Sequence, residues 1–193
     1  GWQTVNGQNC AYTIAQSADH VAQYVQLLRT QYNYTSLKLI DIEAYPDPAL
    51  NPYEPANAQN PTSAQGSVAR IQSFINELEL RGVHLDGFHL DVNSEAVVAW
   101  GTNLSPDLVA LKNFFANLGI RFGVIFNENT NYAASTNQAY YNATLGFLNT
   151  VYGIIGAPQD VVFQSWHANS NGTKTLPSNL TDSTLNSHTN LMV

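Results

Sequence analysis

Acidic residues close two aliphatic segments of this chain, Asp41-Ile42-Glu43 and His89-Leu90-Asp91, and a third segment ends Phe126-Asn127-Glu128. Two carboxyl groups held at one rim suffice for acid/base hydrolysis of a glycosidic bond: one is protonated as general acid, the other ionised as nucleophile or base. Neighbouring carboxylates push each other's pKa values apart, so two similar groups can take opposite roles. Glu43 and Asp91 are the expected catalytic pair, and Glu128 is a second-tier catalytic candidate. Asp41, deeper in its segment, is read as structural.

Around these acids stand side chains suited to holding a sugar. Trp166 offers a flat apolar face on which a pyranose ring can stack, and Tyr45 opens a long loop beside the first acidic segment. His89, Asn93, Asn127 and His167 can exchange hydrogen bonds with hydroxyl groups. Glu128 is kept on a dipeptide alone, because an Asn before a Glu at a strand end resembles the acid/base dipeptide of paired-glutamate glycosidases. No H-x-x-x-H or H-E-x-x-H pattern occurs and Cys10 is the single cysteine, so neither a metal site nor a disulfide framework is expected.

The elements that must position these residues alternate. A helix is expected from Ser17 to about Thr30, with Val21, Tyr24, Val25 and Leu28 on one face. A strand follows from Leu37 to Ala44, then a proline-rich loop from Tyr45 to Ser63 that is read as substrate-facing. Val68, Ile71, Ile75 and Leu78 define a second helix, stopped at Arg81-Gly82. Gly87 to Asn93 is the next strand, and Ser105-Pro106 is the expected start of a helix that Gly119 ends. A strand from Arg121 to Asn127, a helix from about Thr136 to Tyr152 and a strand from Asp160 to Trp166 complete the series.

Four such strand-helix units imply α/β architecture with parallel strands. No G-x-G-x-x-G or G-x-x-x-x-G-K-[ST] fingerprint follows any strand, so no nucleotide cofactor is expected and a (β/α) barrel is favoured over a doubly wound sheet. A full eight-stranded barrel needs more strands, so residues 1–193 are read as one domain, a half or partial TIM barrel lacking upstream strands. Alternation puts Asp41 and Glu43 on one strand face and His89, Asp91 and Asn93 on one face of the next; both are expected to point to the barrel interior.

The ordered series Asp41-Ile42-Glu43 with Tyr45-Pro46, His89-Leu90-Asp91-Val92, Phe122 to Asn127, and Val162-Phe163-Gln164-Ser165-Trp166-His167 resembles the C-terminal half of a poorly characterised family of bacterial TIM-barrel, glycoside-hydrolase-like proteins. The resemblance covers roughly Asp19 to Leu191. It implies a barrel whose first half supplies earlier strands and a further acidic residue. Glu128 departs from the pattern of that strand, in which the Asn is the steadier element.

Composition narrows the partners. Charged residues make up 11% of the chain and the formal net charge is −7, with Lys and Arg scattered singly, so nothing neutralises a run of phosphates and nucleic acid is not expected. No segment approaches the ~18 apolar residues of a membrane span. The hydroxyl- and amide-rich surface suits a secreted, extracellular protein, and sequons at Asn33, Asn103, Asn142, Asn171 and Asn179 allow a glycoprotein. Carbohydrate is the expected partner. The alternative functions are a non-catalytic carbohydrate-binding protein and a structural or assembly protein, in which the edges of an incomplete barrel pair with a second copy or with the missing half.

Overall fold

A computed structural model describes residues 2–5, 8–46, 65–93, 97, 103–126 and 137–164 of the chain. Strands β1 (Trp2–Val5) and β2 (Gln8–Ala11) pair antiparallel at the N-terminus. Helix α1 (Ile14–Thr30) follows, then β3 (Ile40–Tyr45), α2 (Gln65–Leu80), β4 (Gly87–Val92), α3 (Leu104–Leu118), β5 (Arg121–Phe126), α4 (Asn137–Ile155) and β6 (Asp160–Phe163). The last four strands form one all-parallel sheet in the order β3-β4-β5-β6. The molecule is therefore α/β.

Each crossover between parallel neighbours carries a helix, and a strand order that never reverses sends right-handed crossovers to the same side of the sheet. The side chains agree. Phe88, Leu90, Val92, Phe122, Val124 and Phe126 share one face by alternation and register, and all are buried. Phe88 stacks on Phe115 of α3 at 4.3 Å between ring centres, and Phe126 meets Phe147 of α4 at 5.4 Å. From α2, Ile71, Ile75 and Leu78 join the same apolar cluster. Burying each such side chain contributes about 1.5–3 kcal/mol, so this layer holds the strands in register.

Two helix starts differ from expectation. α1 begins a turn earlier than Ser17: the Thr13 hydroxyl accepts from the Gln16 amide at 3.2 Å, and the Gln16 side chain accepts from the Thr13 amide at 2.9 Å. That reciprocal pair satisfies the Thr13 and Gln16 amide donors, which have no partner one turn back at the start of the helix. In α3 the N-cap is Asn103 rather than Ser105, and Asp107 lies in the first turn. Both helix stops follow the expected chemistry, with Gly82 and Gly119 at φ +73° and +72°, where a Cβ would be strained.

The expected interior face of β3 is corrected by the register. Asp41 aligns with Phe88, Glu43 with Leu90 and Tyr45 with Val92, so the acidic phase of β3 lies on the helix-covered face. Ile40 and Ile42 align with Gly87 and His89 on the opposite face, where they are 52% and 56% exposed. The physical reason is a tether at the strand end: the Tyr45 ring is fully buried and its hydroxyl donates to Asp107 of α3 at 2.5 Å.

Candidate functional site

The sheet face away from the helices is built in registered rows. One row runs Ile42, His89, Gly123, Asp160; the next, toward the C-terminal strand ends, runs Ala44, Asp91, Ile125, Val162. His89 and Asp91 share that face because they are two residues apart on β4. Glu43 does not share it. Glu43 and Asp91 lie on opposite faces of one sheet, so they cannot flank a single scissile bond, and the expected pairing is corrected.

The first row holds the best-defined polar cluster. His89 Nε2 lies 3.3 Å from Asp160 Oδ2, with the two side chains only 12% and 16% exposed. The other Asp160 oxygen accepts from the Arg121 guanidinium, whose side chain is 60% exposed. Gly123 makes this possible. A Cβ at 123 would stand 2.6 Å from His89 Cδ2 and 2.7 Å from Asp160 Cβ, so both side chains lie across the bare glycine backbone. Neither Asp160 nor Arg121 stood out in the sequence. The available signal was Gly123 itself, a lone small residue inside Arg121-Phe-Gly-Val-Ile-Phe126, which marks a close approach.

The remaining candidates separate by position. Asn93 directly follows β4 and is exposed; its amide donates to the Tyr45 carbonyl at 2.7 Å, extending the ladder by one bond. Tyr45, expected to bind substrate, is instead a core residue, since a fully buried ring cannot stack on a sugar. Burial, reinforced by the Asp107 hydrogen bond and charge, pushes its phenol above the ordinary value. Asn127, Glu128, Trp166 and His167 lie outside the described residues.

Asp41, on the helix side, is electrostatically unusual. Burial pushes its carboxyl up to about 6, against the opposing pull of the Ile42 amide, and its Oδ2 is buried without a hydrogen-bond partner. Such a carboxyl weakens the fold at neutral pH rather than facing a ligand. Asp86, just before β4, is the reverse case: the Lys38 ammonium and the Leu39 amide hold it below the usual carboxylate range, tying the start of β3 to β4.

Among the described residues no group of three or more His, Cys, Asp or Glu side chains is arranged to hold a metal ion, and no helix is long and apolar enough to cross a membrane. Comparison with protein-family models, curated proteins and solved structures finds no match to this chain.

Proposed function

We propose that this chain is a glycoside-hydrolase-like protein of partial (β/α)-barrel type, secreted, acting on poly- or oligosaccharide from the sheet face away from the helices with Asp91 as its acid. The observation that carries this reading is the position of Asp91. It is the penultimate residue of an internal strand and lies on the face away from the helix layer. In a (β/α) barrel that face is the interior, and chemistry is done at the C-terminal strand ends. The unreversed strand order supports the barrel part of the reading.

Glu43 is left out of the chemistry because of its face, which makes Glu128 the remaining acidic partner from the sequence. Asn93, Asn127, Trp166 and His167 are assigned to sugar binding. A second reading, a non-catalytic carbohydrate-binding protein, is favoured by the same separation of Glu43 from Asp91, since binding needs no carboxyl pair.

One experiment separates the two. The purified chain is incubated with a panel of soluble and insoluble polysaccharides, and both released reducing ends and depletion of protein from the supernatant are measured. Catalysis predicts reducing ends that fall by about 100-fold or more in Asp91→Asn and persist in Glu43→Gln. Depletion without reducing ends selects the binding reading, and neither signal on any glycan overturns both.

A further inference from the structure

From the row Ile42, His89, Gly123, Asp160 we infer that Asp160 is a positioning residue: it holds His89 in one neutral tautomer, protonated on Nε2, so that Nδ1 becomes a fixed acceptor for a ligand hydroxyl on the face away from the helices. The dyad stands on geometry alone. Its ligand class rests on the carbohydrate reading above.

Three constraints converge on the ring. Asp160 Oδ2 lies 3.3 Å from His89 Nε2. An ionised carboxylate is an acceptor only, so the shared hydrogen must sit on Nε2. The carboxylate is itself held, because its other oxygen takes the Arg121 guanidinium and cannot swing away without losing that ion pair. Gly123 then fixes the orientation of the ring. Its Cα side is covered by His89 Cδ2 and Asp160 Cβ so closely that a methyl group would overlap both.

The position of the acceptor follows from ring geometry. The Cδ2–Nε2 edge faces β5 and β6, which turns the Nδ1 edge toward β3, where the residue in register is the exposed Ile42. Asp91 is two residues along the same strand face, roughly 6.6 Å away by strand rise. A sugar hydroxyl reaching Nδ1 would thus have an apolar wall on one side and a carboxyl one step toward the strand ends. A neutral histidine whose Nε2–H is held by a carboxylate presents Nδ1 as the acceptor in one tautomer, whereas a free imidazole exchanges its two tautomers.

Long-range 1H–15N correlation spectra of the uniformly labelled full chain at pH 7.5 test the dyad directly, with the His89 signals identified by their loss in His89→Gln. The expected pattern is protonated Nε2 and unprotonated Nδ1 in a single tautomer, and a shift toward mixed tautomers in Asp160→Asn, whose fold is checked by circular dichroism. An Nδ1-protonated, doubly protonated or mixed pattern in the unsubstituted protein overturns the inference whatever the function. Titration with xylo-, cello-, malto- and chito-oligosaccharides supplies the second arm. A bound glycan is expected to move the Nδ1 signal and to bind more weakly to Asp160→Asn by the inverse of the Nε2-protonated fraction left in that variant, about twofold for an even tautomer mixture. Glycan binding that leaves Nδ1 unmoved overturns the ligand role of His89 while the carbohydrate reading stands. No glycan binding with the tautomer as expected overturns the carbohydrate reading and its ligand class, and leaves the dyad supported.

Discussion

Asp41 is the residue whose charge works against its position. Its carboxyl is raised from 3.8 to about 6 in the folded protein, so the folded state binds this proton more tightly than the unfolded chain does. The resulting stability is fully present below pH 4 and is lost as pH rises through 6, by about 3 kcal/mol for a shift of this size. Asp41→Asn should flatten that window and raise the melting temperature at pH 7.5 while changing little at pH 3.5; parallel urea titrations at the two pH values check it. Tyr45 and Asp107 form the opposite case, a buried pair whose partners complete each other. Tyr45→Phe leaves the Asp107 carboxylate without this donor and should cost about 1–3 kcal/mol. Addition of Asp107→Leu to Tyr45→Phe should recover part of the loss, and a double-mutant cycle in urea measures the coupling. Asp41 reads as structural from its depth in the segment, but the role of Tyr45 is not visible in its residue type: a tyrosine at a strand end reads equally well as a ligand site, and only the neighbouring helix shows which it is.

At the scale of elements, legibility depended on whether a segment carries alternation. In β4, Phe88, Leu90 and Val92 stand against His89, Asp91 and Asn93, and the side facing the helices could be read directly. The segment around β3 has aliphatic residues in both phases, Leu37 and Leu39 in one and Ile40 and Ile42 in the other, so period alone could not choose its face. The start of α1 was encoded in Thr13 and Gln16, a capping pair placed before the first apolar stripe. The β1-β2 hairpin was missed, although Asn6-Gly7 in the sequence between the two segments is a strong turn dipeptide. Two glycines give a contrasting test of this level. Gly123→Ala forces a methyl group onto His89 and Asp160 and should destabilise by about 1–3 kcal/mol. Gly146→Ala, within α4 and with nothing within 4 Å of the added methyl, should stabilise by about 0.5–1 kcal/mol. Thermal melts of the two variants should move in opposite directions.

For the whole molecule, the strand-helix alternation was legible because each strand is a short aliphatic segment bounded by turn chemistry, and the four parallel strands in order follow from it. What the alternation does not contain is how two strands align, and that alignment decides which acids can meet. The register puts Asp91 and His89 on the face away from the helices and Glu43 on the helix-covered face. The proposed activity therefore depends on one face of one sheet. The most direct measurement is glycan affinity and turnover compared side by side for Asp91→Asn and Glu43→Gln, each verified as folded, on whichever polysaccharide the panel selects. The account predicts that Asp91→Asn loses about 100-fold or more in turnover, or at least about tenfold in affinity if the chain only binds, while Glu43→Gln stays within about twofold. Equal losses in the two variants, or a larger loss in Glu43→Gln, would contradict it.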